Sequence, residues 1–226
     1  MHIQFHQTEL RYGARVALQP LTLDLDDQRI GVIGLNGSGK TSFARLLTGL
    51  VAPTLGRVTL DGLDTVKDIK SIRQKTGFIF QNPGNQIILP IIRDDIALGV
   101  ESRGLPKDAV HAAVEAVLSR FAIHHLAERR PHELSGGELQ LAALAAVVVN
   151  QPELIVFDEP TNQLDLKNRA IVKAAIEALP EQAVVISHDL DLISDYGRVL
   201  VFHESRLAHD GPGHEAVARY RELAGC

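Results

Sequence analysis

Residues 29–41, Arg29-Ile30-Gly31-Val32-Ile33-Gly34-Leu35-Asn36-Gly37-Ser38-Gly39-Lys40-Thr41, decide how the rest of this 226-residue chain is read. The first five form an apolar run of strand type, and Gly34 to Thr41 fits the G-x-x-x-x-G-K-[ST] phosphate loop. Thr41 to Leu50 then reads as a helix. Between a strand and a helix, the three glycines let successive backbone N–H groups turn toward one point, and the helix N-terminus adds its positive dipole end. Lys40 brings a mobile positive charge to the terminal phosphates, and the Thr41 hydroxyl can sit on a magnesium ion. A glycine-rich turn that matches by accident is the bland alternative, and the flanking strand and helix disfavour it. Binding of a nucleoside triphosphate is the expectation.

Composition narrows the partners. The net charge of −5 gives no overall attraction to nucleic acid, so no nucleic-acid partner is expected. The only cysteine is Cys226, which cannot form an internal disulfide and fits a reducing compartment. The first residues lack a charged-then-apolar secretion pattern. The longest apolar run, Leu141 to Val149, is too short to span a bilayer, so any membrane role is expected to come through a partner.

Along the chain, Ile3, Phe5 and Gln7 alternate with polar neighbours, Tyr12-Gly13 marks a turn, and Leu21 to Leu25 alternates strictly. Arg57 to Leu60 reads as a strand ending at an Asp61-Gly62 turn, so antiparallel strands bracket the phosphate loop and its helix. Gly77 to Gln81 is a short strand ending on glutamine. Segments 94–100, 106–121 and 137–149 carry helical spacing, with Pro106 suited to a first turn. Between the last two, Leu134-Ser135-Gly136-Gly137-Glu138 leads into a helix and is either an ordinary cap or a second anion site. Leu154-Ile155-Val156-Phe157 runs into Asp158-Glu159, as a buried parallel strand that delivers carboxylates at its C-terminal end would. Asp158 could hold magnesium through its water shell, leaving Glu159 to orient water. Thr161 to Asp165 reads as a loop and Leu166 to Leu179 as a helix. Ala183 to Ile186 is another short strand, ending on Ser187-His188. A strand from Arg198 to Val201 and a helix from His214 to Leu223 close the chain.

Taken in order, these features resemble the ATP-binding cassette (ABC) ATPases along about residues 1 to 210. Gly34–Thr41 matches Walker A, Leu134–Glu138 the signature sequence, and Leu154–Glu159 Walker B. Gln81 matches the Q-loop, Leu164-Asp165 the D-loop and His188 the switch histidine. The resemblance implies an α/β P-loop fold in one domain, 1–226. A RecA-like core carries an antiparallel β subdomain and, over about 82–140, an inserted helical subdomain. It further implies two chains sandwiching two ATP molecules, with Ser135, Gly136, Gly137 and Glu138 acting in trans; the intact motifs favour a homodimer over a heterodimer. Tyr12 would stack on adenine. Gly34, Leu35, Asn36, Gly37, Ser38, Gly39, Lys40, Thr41 and Ser42 would hold the triphosphate. Thr41 and Gln81 would contact Mg²⁺, and Asp158 would support it through water. Glu159, His188, Gln81 and Lys40 form the expected catalytic set. Two residues depart from the pattern: Glu138 stands for the usual glutamine, and Leu141 for a frequent arginine whose loss is expected to weaken a salt bridge.

A finer resemblance lies in Phe80-Gln81-Asn82-Pro83-Gly84-Asn85-Gln86 and in Asp94-Asp95-Ile96-Ala97-Leu98-Gly99. Both runs are similar to the ATPases of energy-coupling factor (ECF) importers for vitamins, cobalt and nickel, and the chain's length is nearest to those serving biotin. That group implies a transmembrane coupling protein docked just after the Q-loop, a substrate-binding membrane protein, and a place on the cytoplasmic face of the inner membrane. Gly84-Asn85 stands where related ATPases often carry an acid, so the charge of the docking groove is expected to differ. Two other ABC classes share the chemistry: soluble ATPases acting on nucleic acid or ribosomes, and exporter ATPases. The chain's acidic balance and its single cassette disfavour the first.

Overall fold

In the computed structural model, which describes residues 1–101 and 103–225, the N-terminal alternation becomes a hairpin of β1 (Ile3–Tyr12) and β2 (Arg15–Leu25). The apolar run at the head of the phosphate loop is β3 (Arg29–Gly34), and the loop opens into α1 (Lys40–Leu47). β4 (Leu55–Leu60) and β5 (Leu63–Asp64) flank the expected Asp61-Gly62 turn, where both φ angles are positive. Next come α2 (Ile69–Lys75), β6 (Thr76–Ile79), α3 (Ile92–Glu101), α4 (Lys107–Arg120) and α5 (Gly136–Val148). The chain closes with β7 (Leu154–Asp158), α6 (Leu166–Glu177), β8 (Gln182–Ile186), α7 (Leu190–Ile193), β9 (Arg198–His203), β10 (Arg206–Gly211) and α8 (Gly213–Ala224). Cys226, which carries the compartment expectation, lies outside the described residues.

The strands form two sheets. One is antiparallel in the order β2-β1-β4-β5; the other runs β10-β9-β3-β8-β7-β6, parallel except for β10. The central parallel strands are apolar on both faces. Ile33, Val185, Ile155 and Phe157 join a cluster that includes residues of α3, α4, α5 and α6. Their neighbours Val32, Val184, Ile186 and Val156 join α1 and the antiparallel sheet. Strands covered on both sides have no polar face, which is why they read as unbroken apolar runs. Phe43 of α1 fixes the phosphate-loop helix between the sheets: its ring stacks on Phe5 at 4.9 Å and meets Phe202 at 5.2 Å between centroids. Truncating such a buried ring costs roughly 3–5 kcal/mol.

Several expectations shift by a residue or two. β6 stops at Ile79, so Gln81 lies beyond the strand, and Pro106 is the N-cap of α4 rather than part of its first turn. β5, α2, α7 and β10 are additions. Between Ile79 and Leu154 no strand occurs among the described residues. Asp95 is buried and accepts the N–H groups of Ile88 (2.7 Å) and Leu89 (2.9 Å), holding the loop ahead of α3. Leu141 packs into the apolar cluster under α5.

Candidate active site

Register brings distant parts of the sequence together. Ile186 of β8 pairs with Val32 of β3 on one side and Asp158 of β7 on the other, so the three strands end at one level. Just past that level lie the phosphate loop, Glu159 and His188, at the carboxyl ends where parallel sheets bind ligands. They line a cavity of about 300 Å³, with Tyr12 projecting from the β1–β2 hairpin at its rim.

Backbone geometry builds the phosphate end. Gly39, the N-cap of α1, has φ 108°, and a Cβ there would stand 2.7 Å from the Ala17 carbonyl. Only glycine permits both. The first turn of α1 holds no acidic side chain, which leaves its amides and dipole for an anion. Asn36, Gly37, Ser38, Gly39, Lys40, Thr41 and Ser42 all line the cavity. Gly34 and Leu35 do not; their carbonyls accept from the Lys40 ammonium at 2.7 and 3.1 Å and hold it in place. Burial holds the Lys40 pKa below its ordinary value, against the pull of Glu159 and Asp158.

The acidic end contains two carboxylates out of water. Burial raises the pKa of Asp158, opposed by the Thr41 hydroxyl, which donates to Asp158 Oδ1 at 3.4 Å, and by Arg45 and Lys40. Glu159 adopts φ 58°, a left-handed conformation costing roughly 1–3 kcal/mol for a residue with a Cβ. It is held there by its N–H to the Ile186 carbonyl (2.9 Å) and by Oε2, which accepts the His188 backbone N–H at 3.0 Å. Glu159 Oε1 is buried with no aligned hydrogen-bond partner among the described residues. His188 Nε2 is 3.2 Å from it but out of line. Burial raises the Glu159 pKa, and burial together with Lys40 lowers that of His188, so both shifts work against an ion pair between them. Thr41, Gln81 and Asp158 line the cavity and each carries a side-chain oxygen, the ligand type a magnesium ion takes. No three His, Cys, Asp or Glu side chains converge on a metal position among the described residues, so such an ion would share its shell with substrate and water.

Ser135, Gly136, Gly137 and Glu138 do not line this cavity. They start α5 as a capping box: the Ser135 N–H and hydroxyl both donate to Glu138 Oε2 at 2.8 Å, and the Glu138 N–H returns to Ser135 Oγ at 3.4 Å. The Glu138 carboxylate is engaged in its own chain. Gly137 is covered by Asn168, and Gly136 faces Leu164. Asp165 caps α6 and binds Asn168 through N–H (2.8 Å) and Nδ2 (3.0 Å), so the D-loop and signature are packed as one unit. Three cavity residues escaped the sequence reading, Arg15, Ala17 and Arg45. Arg45 stands four residues after Thr41, a helical spacing that points it to the same side.

Residues 18–162 match the family described as ABC transporter. The biotin transport ATP-binding protein BioM of Rhizobium etli is 61% identical over 224 residues, 99% of this chain and 100% of that protein. The energy-coupling factor transporter ATP-binding protein EcfA1 of Halalkalibacterium halodurans is 41% identical over 80% of this chain and 67% of that one. Among solved structures, cbiO1 of Clostridium perfringens, part of the ABC transporter complex cbiONQ, superposes with a TM-score of 0.86 at 26% identity. That match covers 98% of this chain and 94% of that one. With strand ends that converge on a phosphate loop and two buried acids, and with relatives matched from end to end, the chain belongs to the ABC transporter family of ATP-hydrolysing proteins, in the group that holds the ECF ATPases.

Proposed function

We propose that this chain is the ATPase subunit of an ECF-type importer whose solute is biotin. The observation that carries the reading is the full-length 61% identity to a biotin transport ATP-binding protein. In the proposed chemistry Tyr12 stacks on adenine, while Lys40 and the amides of 36–42 hold the triphosphate. Thr41, Gln81 and, through water, Asp158 hold Mg²⁺, whose charge offsets that of the phosphates. Glu159 polarises the attacking water, and its unpartnered Oε1 supports that role. His188 contacts the γ-phosphate. Phosphoryl transfer asks for positioning and charge neutralisation, and this set provides both.

The assembly reading is a homodimer of single-domain chains, each with the helical insertion at about 82–140. What supports it is the place of the exposed Ser135-Gly136, outside the chain's own cavity, with Gly137 packed behind them. No helix among the described residues is long and apolar enough to cross a membrane. Transport therefore calls for a transmembrane coupling protein and a substrate-binding membrane protein, with this chain peripheral on the cytoplasmic face. A groove of about 850 Å³ between β6 and the ends of α3 and α5 offers the coupling protein a seat. It is lined by Arg73, Phe78, Arg103 and Val147.

The test is co-purification with the candidate membrane partners and reconstitution into vesicles. ATP-dependent accumulation of labelled biotin, lost with Glu159→Gln, is the expected result. Accumulation of cobalt, nickel or another vitamin in its place would overturn the solute and leave the ATPase reading standing.

A further inference from the structure

Arg15 stands directly across the hairpin from Tyr12, the last register pair of β1 and β2 before the turn. Opposed residues on an antiparallel ribbon present their side chains on one face. Both line the nucleotide cavity. A terminal nitrogen of the Arg15 guanidinium lies 3.7 Å from where a Cβ on Gly37 would be, so the group sits against the phosphate loop. The other two cations in the cavity are in use. Lys40 is bonded to two carbonyls, and Arg45 lies in the field of Asp158. Arg11, Arg93, Arg120, Arg169, Arg198 and Arg219 all have carboxylate partners. Arg15 has neither an ion pair nor a side-chain hydrogen bond among the described residues.

We infer that Arg15 is a second phosphate-binding cation, closing over the β-phosphate of the nucleotide from the hairpin side while the loop amides hold it from the other. The hairpin then supplies two adjacent contacts of different chemistry: an aromatic face for the base and a planar fork of N–H donors for the phosphate chain. This rests on the nucleotide site proposed above. Because the β-phosphate is common to ADP, ATP and GTP, the contribution of Arg15 is independent of the base, whereas that of Tyr12 depends on it.

The experiment titrates mant-labelled ADP, ATP and GTP into the full-length chain. Arg15→Gln should weaken all three by about tenfold, the lower range for a hydrogen bond to a charged group. Arg15→Lys should recover part of the loss, and added salt should narrow the gap between wild type and Arg15→Gln. Tyr12→Ala should instead compress the preference between ATP and GTP. Melting temperatures report whether each variant is folded, and Lys40→Ala serves as the control for the site itself. If Lys40→Ala loses nucleotide while folded Arg15→Gln stays within twofold of wild type for all three, the inference fails alone. If Lys40→Ala also binds normally, the site reading fails with it. A loss confined to one base would overturn the phosphate assignment.

Discussion

The phosphate loop and the Ser135-Gly136-Gly137 turn are both glycine-rich lead-ins to a helix, yet their polar groups are in different states. At the signature, the serine hydroxyl, the serine N–H and the Glu138 carboxylate satisfy one another, and Asn168 covers the buried glycine. At the phosphate loop, Ser38 Oγ and Glu159 Oε1 are buried without hydrogen-bond partners among the described residues. Burial there also pushes the pKa values of Asp158 and Glu159 up and that of Lys40 down, each toward neutrality. The cavity holds polar groups whose cost is offset only when substrate arrives. The signature is complete as a cap.

The largest effect should come from the carboxylate at the heart of the contrast. Glu159→Gln keeps the shape and the N–H contacts but cannot polarise water, so turnover should fall by about 10²-fold or more with ATP affinity nearly unchanged. Steady-state hydrolysis and nucleotide titration decide it, and near-normal turnover would remove Glu159 from the chemistry.

Mixing two inactive variants breaks or sharpens the comparison between the two turns. Lys40→Ala disables a cavity; Gly136→Asp places a charged side chain on the signature, against Leu164. Each protein alone should be nearly inactive. After exchange of equal amounts, half the dimers are mixed and each has one intact site of two, so activity should return to about a quarter of wild type if the sites fire independently. Confirmed exchange without recovery would mean that the signature does not serve a neighbour's nucleotide.

The smallest effect is on stability. Burial raises the Asp158 pKa, so the folded state binds its proton more tightly than the unfolded state. Stability from this group is therefore highest below its ordinary value of 3.8 and is lost as pH rises through the raised value. Asp158→Asn has no such loss. It should melt higher than wild type at pH 7 without nucleotide, about 2–4 °C for each 1 kcal/mol in a chain of this size, and the gap should close toward acid pH. A gap that widened on acidification would contradict the burial argument.

How much of this was legible follows from where each residue sits. β7 and β8 could be read because strands covered on both faces show unbroken apolar runs, and their ends therefore announced Asp158, Glu159 and His188. β10 could not, because an edge strand needs little apolar content. Its hairpin turn also uses Glu204 (φ 47°) and Ser205 (φ 63°) instead of the asparagine and glycine that signal such turns. α2 spans seven residues, too few to repeat a helical period. Arg15 becomes visible only once the hairpin register places it opposite Tyr12. Glu138 was legible in another way: Ser-x-x-Glu ahead of an apolar run is a capping-box pattern, and the carboxylate closes that box.

The position of β3 has a consequence for how the chain is made. β1, β2 and β4 find one another within the first sixty residues, so the antiparallel sheet has its partners early. The strand that carries the phosphate loop has none until β8 and β9 exist, because Ile30 pairs with Val184 on one side and Arg198 on the other. At typical synthesis rates that wait lasts about 10–30 s on the ribosome. Through it the loop's apolar strand must stay unpaired and protected from wrong partners, and a chain truncated before β8 would carry the whole Walker A sequence without the sheet that shapes it. ATP is thus a ligand of the finished domain, where it deepens the native state, and not a guide to the first steps of folding.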